Sequence, residues 1–246
     1  MKKVKAAAGV VIILVIAAVV LFLNTSFGKV LTVRYRGFTE ISTNIYLDQQ
    51  CDQQIIEELL QLTKDSRLRA EAFWGELESE PVLIFSDNQE RFAGLGLSVN
   101  SAANSLFVFN GAKNYIAVYF PKADIDILAH EMSHAELHKR IYQGPNRYTN
   151  SQLVPMWFDE GLAMQVDYRE KYGDGAWLRM TEEGSSTALS DIVSPAQFFT
   201  GDSDERTGHY IVSRYEVKTW YEQHGHERLL ELIQGINDGK EFAELY

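Results

Sequence analysis

The segments that alternate with a strand's two-residue period all lie before Pro121, and beyond it the apolar pattern is helical. A period of two puts successive side chains on opposite faces of a strand, whereas a period of 3.6 gathers them on one stripe of a helix. Residues 30–36 (VLTVRYR) and 42–47 (STNIYL) alternate, residues 81–86 (PVLIFS) read as a buried strand, and residues 105–109 (SLFVF) and 115–120 (YIAVYF) as two more. The stretch NGAKN at 110–114 predicts a hairpin turn between the last two. One helix is predicted among the strands, over residues 49–74, where Ile55, Ile56, Leu59, Leu60 and Leu62 recur at three- and four-residue intervals. Strands first and helices later indicate an α+β fold rather than an alternating parallel sheet.

Past Pro121 the helix signals are explicit. Asp124 and Asp126 sit where a helix start favours negative charge, Lys139 and Arg140 where its end favours positive charge, and QGPN at 143–146 stops it. A second helix is expected from about Pro155, carrying MWFDEGLAMQVDY. Residues 170–204, rich in Gly, Ser, Thr and Asp, read as loop, and helices are expected again at 209–224, at 227–235 and near the C-terminus. The predicted organisation is therefore a strand-rich lobe at 29–143, which includes the helix after Pro121, and a helical lobe at 144–246.

Ahead of both lobes, residues 6–23 contain no charged side chain and follow Lys2, Lys3 and Lys5. Eighteen helical residues span about 27 Å, enough for a bilayer core. Residues 1–28 are accordingly expected to form a cytoplasmic N-terminus and a transmembrane signal anchor, which places the remainder outside the cytoplasm. With SFG at 26–28 as a cleavage site, the same run reads as a signal peptide and the product as secreted. The chain of 246 residues carries 34 acidic against 23 basic side chains, a net charge of −11. That balance argues against nucleic acid or an anionic lipid surface as partner. A single cysteine, Cys51, rules out an internal disulfide framework and is expected to be a buried thiol.

The chemistry concentrates in LAHEMSHA at 128–135. His130 and His134, four residues apart, project from one helix face, where two imidazoles bind one tetrahedral Zn2+ and Glu131 stands beside the metal's water. The bland alternative is a solvated polar face, to which His138 also belongs. If His138 were a ligand with His134, Glu131 and Glu160 would have no role. A third histidine in the H-E-x-x-H-x-x-G-x-x-H pattern is excluded, because Leu137 and Arg140 occupy the required positions. A carboxylate from a second helix is the other solution, and WFDEGLA at 157–163 offers Glu160, 26 residues after His134. The small Gly161 and Ala163 beside it would let the two helices approach closely.

His130, Glu131 and His134 followed by Glu160, Gly161 and Ala163 resemble the gluzincin zinc metallopeptidases, most closely their peptidase MA-like domains. The stretch from His209 to Phe242 is similar to the closing part of that family, and the resemblance extends from about Phe38 to Phe242. It implies a zincin-like fold, with a mixed N-terminal sheet, an active-site helix and a C-terminal helical subdomain. It implies Zn2+ held by His130, His134 and Glu160, with Glu131 as base and then acid in peptide hydrolysis. A tyrosine or histidine of the C-terminal part stabilises the oxyanion in such enzymes, which selects Tyr210, with His209 beside it. The partner is then a peptide or protein substrate, cut by an endopeptidase, since the glutamate that anchors a free amine in aminopeptidases is missing from GAKN. A non-catalytic binding protein with this fold, or a zinc amidase acting on a cell-wall bond, are the alternatives. Two positions depart from the pattern. Asp159 stands where the aminopeptidases carry asparagine, and Met164 where thermolysin-like enzymes carry the aspartate that orients the first histidine. Asp159 and Asp167 are the candidates to orient His130 instead. Residues 115–120 read either as an edge strand that pairs with substrate or as a buried strand.

Overall fold

The computed structural model describes residues 2–49, 52–97, 101–108, 113–149, 151–184 and 187–246. Residues 110–112 of the expected turn, and Cys51, lie outside the described residues. The chain is a mixed α/β structure around one five-stranded sheet, with strands β1 (Phe38–Ser42), β2 (Ile45–Asp48), β3 (Val82–Ser86), β4 (Ala103–Val108) and β5 (Lys113–Tyr119) in the order β1-β2-β3-β5-β4. β2, β3 and β5 run parallel, while β1 and β4 pair antiparallel at the two ends. β5 is therefore internal, and the strand at the sheet's edge on this side is β4.

Alternation along the strands builds two cores. Leu83, Phe85, Ile116 and Val118 point to one face, where α3 (Gln53–Trp74) and α5 (Ile125–Ile141) pack with Trp74, Leu128 and Leu137. Ile84, Tyr115 and Ala117 point to the other, which is covered by α2 (Ser26–Leu31) and α4 (Gln89–Gly94) through Val30 and Phe92. Residues 30–36, expected as a strand, instead lie in α2 and a 3-10 turn at Val33–Tyr35. Thr25 caps this helix by accepting from Gly28 N at 3.1 Å, and a helical period buries Val30 and Val33 together, which a strand would not.

The expected membrane span is corrected. α1 (Lys2–Leu23) carries the apolar run, but among the described residues no helix is long and apolar enough to cross a membrane. The single-pass anchor, and the extracytoplasmic location inferred from it, lose their support with it.

The helical part contains α6 (Met156–Ala163), α7 (Asp174–Glu182), α8 (Pro195–Phe198), α9 (Ser203–Asn237) and α10 (Phe242–Leu245). α7 and α8 occupy the segment read as loop, where Gly173 and Ser194 precede short helices that the polar composition masks. α9 is two helices joined across a kink at Gly225, whose φ of 78° is open to glycine at little cost.

Candidate metal centre

α5 sits under the sheet because its two buried faces are anchored separately. On one side Trp74 Nε1 donates to Ser133 Oγ at 2.8 Å, and Asn114 Nδ2 donates to the Ala135 carbonyl at 2.8 Å, tying the helix to α3 and β5. Glu136, fully buried, accepts from the backbone N–H groups of Glu78 at 3.0 Å and Ser79 at 2.8 Å, and from Arg140. Asp124 caps its start, accepting from Ile127 N at 2.9 Å. The other side carries His130 and His134. α6 follows Pro155 and crosses this side of α5, bringing Asp159 and Glu160.

Three donor atoms then converge. His130 Nε2 lies 3.0 Å from His134 Nε2, and Glu160 Oε2 lies 3.3 Å and 3.4 Å from these two nitrogens. Donors about 2.0–2.1 Å from a tetrahedral zinc stand about 3.3–3.4 Å from one another, so the triangle already has the size such an ion requires. The three residues are 3–8% exposed, and Glu160 Oε2 has no hydrogen-bond partner although it is buried. An ionised oxygen without a donor in the interior is costly, and a cation satisfies it. The donor set of two imidazoles and one carboxylate suits zinc.

The surrounding charges make the same point. Burial works against protonated His134, but the carboxylates of Asp159 and Glu160 outweigh it and hold its pKa well above the ordinary value. His130 is raised too, with burial opposed by Asp167 and Glu160. Burial would raise the carboxyls of Asp159 and Glu160, yet the facing imidazoles hold both below the usual range. A pocket that draws protons onto two buried histidines is one that accepts positive charge.

The outer partners resolve the question left by Met164. His134 Nδ1 donates to Asp159 Oδ1 at 2.6 Å, and the other oxygen, Oδ2, accepts from His138 Nε2 at 3.1 Å. His138 is thus bound to Asp159 and stacked on Phe107, with ring centroids 3.6 Å apart, and does not join the three converging atoms. Asp167 Oδ2 approaches His130 Nδ1 at 3.5 Å, an ion-pair distance rather than a made hydrogen bond, and Arg169 grips that same carboxylate through Nε and Nη2. Asp167 is seven residues beyond Glu160, after α6 has ended, so no helical spacing announces it.

Glu131 faces the cleft, with Oε2 accepting from Ser105 Oγ on β4 at 2.5 Å. Nothing in the sequence around Ser105 pointed to that contact, because only the fold brings β4 across α5. The Tyr210 ring lies 6.3 Å from that of His130, in the cavity that also holds Glu131 and Glu160. Burial, then the charges of Glu160 and Glu131 and nearby Tyr172, push the Tyr210 phenol well above its ordinary pKa, so it keeps its proton. His209 is buried with Nδ1 on the Phe198 carbonyl at 2.7 Å and lines a different cavity.

Two cavities, of about 320 and 380 Å3, meet at His130, Glu131 and Tyr210 and extend from there in different directions. No protein-family model matches the chain, and no curated protein matches it.

Proposed function

We propose that the chain is a zinc-dependent peptidase, with zinc held by His130, His134 and Glu160. The observation that carries this reading is the buried triangle of donor atoms 3.0–3.4 Å apart, with Glu131 beside it in an open cleft. When bound, zinc lowers the pKa of a water to roughly 7 and polarises the scissile carbonyl.

The chain's own residues supply the rest. Glu131, steered by Ser105, accepts the water's proton at a carboxylate oxygen and delivers it to the departing amine, acting as base and then as acid. Tyr210, held protonated, donates to the oxygen on which negative charge develops. Asp159 fixes His134 in the tautomer that turns Nε2 toward the centre, and Asp167 faces His130 in the same sense. A cleft that continues on both sides of Glu131 supports cutting within a chain rather than at its end.

The test is metal content and turnover on the same preparations. Wild type is expected to hold about one zinc per chain and to cleave an unfolded protein substrate. Glu131→Gln keeps the zinc and loses cleavage, while His134→Ala loses both. Wild type without stoichiometric zinc, or full turnover by Glu131→Gln, ends this reading.

A further inference from the structure

The 380 Å3 cavity on one side of Glu131 is lined by charge of mostly one sign. Lys122, Arg169 and Lys171 border it, and Glu131 is the one acidic side chain among its described lining residues. The surplus stands out in a chain whose net charge is −11. Two separate segments deliver it: the 3-10 turn Phe120–Lys122 after β5, and the stretch after α6, where Arg169 leads directly into the 3-10 turn Glu170–Tyr172.

The two lysines are held without being neutralised. Lys171 Nζ lies 4.5 Å and Arg169 Cζ 5.0 Å from the centre of the Tyr172 ring, and Lys122 Nζ lies 5.7 Å from that of Tyr119. Aromatic faces attract and orient ammonium and guanidinium groups while leaving their charge intact. Among the described residues no carboxylate lies within ion-pair distance of Lys122 or Lys171, in contrast to Lys218, which is paired with Asp174. Arg169 is paired, but its bonds to Asp167 use Nε and Nη2 and leave Nη1 outside the pair.

Resting on the peptidase reading, we propose that this cavity is the subsite for a negatively charged group of the substrate, either an acidic side chain or a C-terminal carboxylate. The field of this cluster draws an anionic peptide to this end of the cleft even though the molecule as a whole repels it, and because both lysines are exposed the attraction is screened by salt. Glu131 stands where this cavity meets the one that holds Glu160.

The experiment measures binding separately from cleavage, on zinc-loaded Glu131→Gln. Three fluorescent hexapeptides are compared: a neutral one with blocked ends, the same with one glutamate, and the neutral one with a free C-terminal carboxylate. One or both anionic peptides are expected to bind about tenfold tighter than the neutral one, an advantage that shrinks as salt is raised. Whichever of the two gains identifies the source of the charge. Lys122 and Lys171 are exposed, so Lys122→Glu/Lys171→Glu should fold normally, which circular dichroism checks, and should abolish or reverse the preference. Equal binding of all three peptides, no binding of any, or a preference that survives the double charge reversal overturns the proposal. Failure of wild type to cleave any peptide, with the preference intact, overturns the catalytic reading and leaves an anionic peptide site.

Discussion

Asp159 is the side chain on which the centre turns, because one carboxylate holds two imidazoles at once. Its Oδ1 fixes His134 and its Oδ2 fixes His138, whose ring is in turn stacked on Phe107 of β4. Asp159→Asn keeps the volume but offers only one acceptor oxygen for these two donors. The expected outcome is a 10–100-fold weaker zinc affinity in chelator competition, with an unchanged circular dichroism spectrum. An unchanged affinity would show that Asp159 does not support the ligand. The three converging residues were legible in the sequence, since i,i+4 spacing on a helix is fixed by geometry and Glu160 stands in a short recognisable pattern. Their supporting residues were legible only in part. Asp159 and Asp167 could both be named as candidates for His130, but only Asp167 approaches it while Asp159 binds His134, and Ser105 lies 26 residues from Glu131 on another element.

At the scale of elements, what presses Glu160 against α5 is the packing behind it. Gly161 was expected to allow α5 and α6 to approach, but it faces α9 instead. A Cβ there would stand 2.5 Å from both the Ser213 carbonyl oxygen and Val217 Cγ2. The sequence shows that a small residue is needed without showing which neighbour needs it. Gly161→Ala is therefore expected to destabilise the fold by about 1–3 kcal/mol in denaturant titration, by forcing two helices apart. It should also weaken zinc binding, because the adjacent Glu160 moves with α6. A variant as stable as wild type would mean that α9 yields freely. The sheet shows a similar division. Alternation located β3, β4 and β5, but strand order depends on contacts far apart in sequence, so β5 proved internal and β4 the edge. The helices α7 and α8 were hidden by polar composition, since their stability comes from packing of residues such as Ala176 and Phe198 rather than from a long apolar stripe.

For the molecule as a whole, protons and metal compete for one store of buried negative charge. Without metal, the raised pKa of His134 contributes stability that is fully present below about pH 6.5 and is lost as pH rises through the raised value. The depressed carboxyls of Asp159 and Glu160 contribute in the opposite sense, with stability present above about pH 4 and lost as pH falls through their lowered values. The contribution of this cluster to the stability of the metal-free chain should therefore be largest between about pH 4 and 6.5. Zinc must displace the imidazole protons, so the rise in Tm on adding zinc to chelator-treated protein should be larger at pH 8 than at pH 6. Equal rises at the two pH values would count against a buried histidine site. The edge position of β4 carries one more consequence for a chain that works as proposed. Its outer row of backbone N–H and C=O groups borders the cleft, and only a partner whose own backbone is unpaired can match it. A helix or an internal strand of a target protein would first have to surrender its own ladder. The rate at which a folded target is cut would then read out how often that segment opens by itself, making the enzyme a probe of its substrates' local stability.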